Sequence, residues 1–326
     1  MPNPDQKKVL KEIESILGQR IQRTSYLEVR NSFKETRRGH IIGLDIQMDQ
    51  ARNFSIFITL LSRLPQLKGL HIRNTEIETP NELLVLQGLE VLSLNHTYIK
   101  KFDFKSLHFL KKLDLSHNVI SSVKRSDFPD GLEELSLSFN NIKDTKEIGQ
   151  LIGLTELHLS CNPINDISTL GSLKNLRKLY IHEFKSSDIN VLSNFKKLQG
   201  FYCCQSQLED LSPLSDLKLL EQLYINNNRI NDLSPLGNLT KLTDLSLEGN
   251  QISDVSHLEN LSSLKKLILS RNKIESLPDW LFNLGIEPKL EESGPRIDDG
   301  IFLGDNPIKT PPIEIEKEGA GASLRF

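Results

Sequence analysis

From Leu67 onward the pattern L-x-x-L-x-L-x-x-N-x-I returns about every 22 residues, and a chain with that period can fold in few ways. Clear copies are Leu110/Leu113/Leu115/Asn118/Ile120, Leu132/Leu135/Leu137/Asn140/Ile142 and Leu154/Leu157/Leu159/Asn162/Ile164. Further on come Leu220/Leu223/Ile225/Asn228/Ile230, Leu242/Leu245/Leu247/Asn250/Ile252 and Leu264/Leu267/Leu269/Asn272/Ile274. Weaker copies begin at Leu67, Leu89, Leu176 and Leu198. Alternation at the second and third leucines predicts a short strand with one buried face. The asparagine turns the chain and offers its amide to backbone groups that the turn leaves unpaired. One such unit buries too few apolar side chains, at about 1.5–3 kcal/mol each, to offset about 1–2 kcal/mol of backbone entropy per residue. The units must therefore stack and share a core.

This is the period of leucine-rich repeats. The return segments NDISTLGSL, EDLSPLSDL, NDLSPLGNL and SDVSHLENL contain Ser-Pro or its equivalent, which suits a tight turn or one turn of helix and not a long helix. The expected fold is an α/β solenoid, a leucine-rich repeat horseshoe with a concave parallel β-sheet, short helical or 3-10 turns on the convex side and an N-terminal helical cap. Val9, Leu10, Ile13, Ile16 and Leu17 fall at helical spacing and supply that cap, and HIIGLDI (residues 40–46) reads as a first, degenerate strand. At the other end LPDWLFNLGIEPKLEESGPRIDDG breaks the period and GIFLGDNPI (300–308) restores it once. Trp280, Leu281, Phe282 and Leu284 are expected to form a closing wedge, followed by a charged excursion through Glu287–Asp299. The expected organisation is cap and lead-in over 1–38, repeats over 39–274, an irregular closing repeat over 275–312 and a linker over 313–326.

Composition narrows the function classes. The chain of 326 residues is 37% hydrophobic and 25% charged, with a formal charge of -3, which supplies no general attraction for nucleic acid or membrane. No apolar run reaches bilayer length, and MPNPDQKKVLKEIESILGQR lacks the apolar core of an export signal. Three cysteines (Cys161, Cys203 and Cys204) make no disulfide framework, and with no export signal they point to a reducing cytoplasm. No G-x-x-x-x-G-K-[ST] loop occurs, so no nucleotide or other cofactor is expected on this chain, and no catalytic constellation stands out.

Function should sit on the solvent-facing strand positions. The residue between the second and third leucines runs His71, Ser93, Asp114, Ser136, His158, Tyr180, Tyr202, Tyr224, Ser246 and Ile268. Three of the chain's five tyrosines follow one another there. With neighbouring Phe139, His182, Glu183 and Asn226 they form the candidate protein-binding surface, since tyrosine offers rigid contact area with a hydroxyl handle. Cross-strand packing on a bare sheet accounts for the same column, and both readings stand open. Cys203 is expected in the core and Cys204 outside it, because successive strand side chains point to opposite faces. His96 and His117 occupy equivalent positions and could approach, but a metal would need further ligands and only Asp114 is near. Lys111, Lys112, Arg73, Lys265, Lys266 and Arg271 read as solvated charges. Thr75, Thr97, Phe184 and Ser206 break the asparagine rule.

The tail carries a more specific resemblance. Leu277-Pro278-Asp279-Trp280, Gly300-Ile301-Phe302-Leu303, Asn306-Pro307, Pro311-Pro312-x-Glu314 and Gly319-x-x-Ala322 resemble the junction that joins the repeats of Roco proteins to their Roc GTPase domain. The acidic and small EKEGAGAS departs from the apolar link of that family. The resemblance implies a regulatory interaction module whose partners are the chain's own Roc and COR domains. It also implies a homodimeric full-length protein, while this segment by itself is expected to be monomeric. The alternatives are a free-standing cytoplasmic adaptor that binds another protein and an internalin-like adhesin.

Overall fold

The computed structural model describes residues 4–24, 31–47, 53–284, 288–289, 299–309, 314–316 and 323–325. The chain divides into two compact units, Met1–Asn162 and Pro163–Phe326.

The first unit opens with helix α1, Pro4–Leu17, which buries Val9, Leu10 and Ile13, the positions that recur at helical spacing. Buried Gln6 accepts the Ile41 N–H at 2.8 Å and so fixes the helix to the first long strand. Strands β1 (Gln22–Arg23), β2 (Ser32–Glu35) and β3 (Ile41–Gln47) follow, and β3 runs antiparallel to β2. A second helix, α2 (Phe54–Leu61), was not anticipated. Its FSIFITLL is apolar almost all round and buries Phe54, Phe57, Ile58, Leu60 and Leu61. From β3 the sheet is parallel through β4 (Gly69–Arg73), β5 (Val91–Ser93), β6 (Lys112–Asp114), β7 (Glu134–Ser136) and β8 (Glu156–His158).

The second unit repeats the parallel pattern through β9 (Lys178–Tyr180), β10 (Gly200–Tyr202), β11 (Gln222–Tyr224), β12 (Asp244–Ser246) and β13 (Lys266–Ile268). Past the interruption, β14 (Pro288–Lys289) and β15 (Gly300–Phe302) both lie in the sheet. Strand β15 takes the next place beside β13, pairing Leu267 with Ile301. The period is thus restored after the interruption. Of the expected wedge, Leu281 is fully buried while Trp280, Phe282 and Leu284 are half-buried. Of the charged excursion only Pro288, Lys289 and Asp299 are described, and most of the expected linker lies outside the described residues. Its described parts, β16 (Glu314–Glu316) and β17 (Ser323–Arg325), pair antiparallel.

The strands are shorter than the alternation suggests. Each regular repeat pairs only three residues, centred on the second leucine. The third leucine lies past the strand yet stays buried, because the residue before the asparagine takes a left-handed conformation and turns the chain inward. That conformation recurs at His96, His117, Phe139, Cys161, Glu183, Gln205, Asn227, Gly249 and Arg271. Only one of these is glycine, although the left-handed region costs other residues roughly 1–2 kcal/mol.

Where an asparagine follows, its hydrogen bonds offset this cost. Asn140 donates its amide to Leu115 O (2.9 Å) and Leu137 O (3.1 Å) and accepts Ile120 N–H at 2.9 Å. Asn228, Asn250, Asn272 and Asn306 repeat the bridge in the second unit. The expected satisfaction of turn groups holds, and each amide also ties its repeat to the preceding one. Return segments are 3-10 turns started by D-x-S: Asp210, Asp232 and Asp254 accept the backbone N–H of Ser212, Ser234 and Ser256 at 2.7, 2.8 and 2.8 Å. Those backbone bonds, with the serine hydroxyls, hold the Asp232 and Asp254 carboxyls below the usual range.

Candidate functional site

The tyrosine column becomes a ladder because the register places Tyr180, Tyr202 and Tyr224 directly opposite one another on β9, β10 and β11. The Tyr180 and Tyr202 rings stack with centroids 4.0 Å apart and planes 6° from parallel. Tyr202 and Tyr224 stack at 5.3 Å. A glycine sets this geometry. The Tyr202 ring lies over Gly200, where a Cβ would stand 2.8 Å from its Cε2 atom. The same device recurs in β15, where the Phe302 ring lies over Gly300.

The hydroxyls are tied down at their ends. Tyr202 donates to Gln222 Oε1 at 2.5 Å, and Tyr224 donates to Asp244 Oδ1 at 3.4 Å. Burial, then the hydrogen bond and charge of Tyr180, push the Tyr202 phenol well above the ordinary tyrosine range. Burial and the Asp244 carboxylate push Tyr224 up to about 12. Both phenols are therefore neutral donors at physiological pH.

The rest of the second-unit set surrounds the ladder. His182 accepts the Cys204 N–H on Nδ1 at 3.0 Å. Glu183 occupies a left-handed turn position and meets Lys185 at 3.8 Å. Asn226 lies beside the third-leucine row, in the strand-to-turn segment after Tyr224. Cys203 is in the core, as its position implies, and burial pushes its thiol up to about 12. Cys204 departs from expectation. It is half-buried, its thiol reaches Tyr224 O at 3.6 Å, and burial raises its pKa, because the chain has left the strand by this residue and strand parity no longer governs it.

Two members of the set, Phe139 and His158, belong to the first unit. His158 extends from β8 with Nε2 2.7 Å from Glu156 Oε1. Phe139 is not on the strand face. It caps a stack on the turn row, in which His96 and His117 lie 4.1 Å apart and His117 and Phe139 also 4.1 Å apart. Burial first, then the neighbouring His96, lowers the His117 pKa against the pull of Asp114. The histidines do approach, but as stacked rings. Among the described residues no group of three or more His, Cys, Asp or Glu is placed to hold a metal.

The predicted open column is not open throughout. Ser93, Ser246 and Ile268 are buried, the last two at 0% and 1% exposure; Ser93 donates to Asp114 at 2.8 Å, while Ser246 and Ile268 stand in register with Tyr224 and Phe302. Arg73 is not a free solvated charge either. It pairs with Asp45 on β3, whose side chain is completely buried. Lys111 and Lys112 pair with Glu133 and Glu134 at 3.0 and 2.6 Å.

No helix of the described residues is long and apolar enough to cross a membrane. The family description "Leucine Rich repeats (2 copies)" matches residues 130–171, 152–194, 196–238 and 240–282, and "Leucine Rich repeat" matches 106–123. No curated protein matches the chain. An internalin of Listeria monocytogenes is similar in structure at 24% identity and a TM-score of 0.68, over 95% of this chain and 93% of its own. A leucine-rich repeat protein of Leptospira interrogans gives 23% identity and a TM-score of 0.71 over 96% and 78%. The ectodomain of the Arabidopsis receptor kinase HAESA, solved with a peptide hormone ligand, gives 22% and 0.59 over 84% and 48%. At these identities the likeness concerns the fold. The 22-residue register, the asparagine ladder and the family matches make this chain a leucine-rich repeat protein.

Proposed function

We propose that the chain is a non-catalytic protein-docking module that lays an extended segment of a partner across the tyrosine ladder of its second unit. The observation that carries this reading is the stacking of Tyr180, Tyr202 and Tyr224 on neighbouring strands. Ordering a rotamer-rich side chain on binding costs about 0.5–1.5 kcal/mol, and rings already held in place avoid most of that cost. His182, Glu183 and Asn226 supply the polar rim. Phe139 and His158 offer a separate surface on the first unit. That the HAESA ectodomain was solved with a peptide hormone supports the idea that such repeats hold peptides.

The finer assignment follows the tail motifs. The partner is the chain's own Roc and COR domains in a cytoplasmic, homodimeric Roco-type protein, and the module biases their nucleotide-linked states by preferring one conformation. The test begins with random peptides displayed on phage and selected against this protein. Their affinity is then compared between the wild type and a Tyr180→Ser/Tyr202→Ser/Tyr224→Ser variant. A loss of about 100-fold is expected from removing ladder hot spots. Equal affinity with unchanged far-ultraviolet circular dichroism refutes the docking reading. A Roc–COR tandem that fails to compete with ladder-dependent peptides refutes the finer assignment alone.

A further inference from the structure

The rings of His96, His117 and Phe139 make a second aromatic stack, on the turns of three successive repeats of the first unit. Their planes lie 16° and 10° from parallel, so His117 is held between two rings, each 4.1 Å away. All three residues are solvent-exposed, and the backbone beneath them is fixed. His96 N–H donates to Ser116 O at 3.2 Å, His117 N–H to Ser138 O at 2.9 Å and Phe139 N–H to Ser160 O at 2.9 Å. The stack can therefore come apart by rotation of side chains alone.

Protonation acts directly on this arrangement. An imidazolium stacked on a neutral imidazole or on Phe139 is attracted to the face of the ring. Two imidazolium rings at 4.1 Å repel, weakly in water and more strongly where they are partly desolvated. A pair coupled in this way takes up its two protons in separate steps. The direction of the His117 pKa agrees: burial and then His96 lower it, and Asp114 opposes them. Asp114 is the weakest of the three influences, its carboxylate being engaged by the Ser93 hydroxyl at 2.8 Å and the Ser116 N–H at 2.9 Å. Neighbouring turns add Asn74 before His96 and Cys161 after Phe139, and Tyr98 follows His96 by two residues; none of these is a base. Arg73, in the preceding repeat, is engaged by Asp45.

We infer that the stack is an acid-operated side-chain switch. It holds with one proton on the histidine pair and opens when the second arrives, baring the ring face of Phe139 that His117 covers. The first unit then presents more aromatic surface in mild acid than at neutral pH, with its repeats intact.

The test follows the histidine Cε1–H and Phe139 ring resonances by NMR from about pH 8 to about pH 4, the range that brackets histidine titration, beside far-ultraviolet circular dichroism. His96→Asn and His117→Asn assign the signals and are mild changes, since asparagine tolerates the left-handed turn that both histidines occupy. The Phe139 resonances, shifted by the ring current of His117, are expected to hold through the first titration step. At the second they should move to the positions of an uncovered ring. In His96→Asn the stack can take only one proton, so the His117 midpoint should rise and Phe139 should stay covered throughout. A His117 midpoint that does not move in His96→Asn overturns the inference. Phe139 signals unaltered across both steps do so too, as does loss of the far-ultraviolet signal before the second proton binds.

Discussion

Replacing Gly200 by alanine tests the ladder without touching a single tyrosine. The new Cβ would sit 2.8 Å from Tyr202 Cε2, 3.1 Å from its hydroxyl and 3.3 Å from Cζ. Carbon contacts settle near 3.5–4.0 Å, so the ring must lift by roughly 0.7 Å or more. The obstacle is the far end of a side chain, so the ring swings and the backbone stays. Lifting it breaks the 4.0 Å stack on Tyr180 and the hydroxyl bond to Gln222. The stack is worth about 0.5–1.5 kcal/mol and the bond about 0.5–1.5 kcal/mol net. Alanine returns about 0.4–1 kcal/mol by restricting the unfolded chain. The balance is a loss of about 1 kcal/mol, read by denaturant titration, with a weaker near-ultraviolet tyrosine signal. In a Tyr202→Ser background the same substitution should become neutral or stabilising, since nothing is left to displace. A Gly200→Ala protein with unchanged tyrosine signal, or an equal loss in both backgrounds, refutes the account of how the ladder is set.

Two further outcomes follow from the same contacts. Asn228→Ala removes an amide that holds Cys203 O at 2.8 Å and Ile225 O at 3.0 Å and an acceptor for Leu208 N–H. At about 1–3 kcal/mol per buried group left unpaired, a loss of about 3–5 kcal/mol is expected in denaturant titration, and a loss below 1 kcal/mol contradicts the bridging role. Tyr224 should ionise near pH 12 and not near 10 when phenolate absorbance is followed with pH. Because its folded pKa lies above the unfolded one, its contribution to stability is complete below pH 10 and is lost as pH rises toward 12. Tm should fall over that window, and less so in Tyr224→Phe; identical alkaline profiles for the two proteins contradict this.

The leucine period specified which residues enter the core, and parity within the repeat specified which row faces out. Tyr180, Tyr202 and Tyr224 were legible for that reason, as were Asn118 and its counterparts. The period names a row but not the rotamers within it. That the Tyr202 ring reclines on Gly200 depends on two residues of one strand and on the stacking partners in neighbouring strands. The GFY and GIF triplets were the available signal. Burial of Ser246 and Ile268 was hidden because the pattern says nothing about the size of the neighbours in the row. The stack of His96, His117 and Phe139 was only half visible, since it arises from left-handed turns that non-glycine residues rarely adopt. The ion pair of Arg73 with Asp45 joins a regular repeat to the degenerate first strand, where the period offers no register.

Packing alone remains a rival explanation of the tyrosines, and the asparagine ladder bears on it. Two of the three tyrosines lie in repeats whose asparagine is missing, replaced by Phe184 and Ser206. Phe184 contributes a buried ring and no polar bridge. Ser206 makes one bond back to the preceding repeat, accepting Phe184 N–H at 3.0 Å, where Asn228 makes two. Ring stacking worth about 0.5–1.5 kcal/mol per pair could offset bonds of similar net worth, so Tyr180 and Tyr202 have a structural use by energy alone. Tyr224 does not. Its own repeat keeps the full bridge of Asn228, and its ring stacks on Tyr202 at 5.3 Å. A device that only repaired the broken bridges would end at Tyr202. The ladder continues one strand past the defect, to a tyrosine held by Asp244, which repair of the broken bridges does not require.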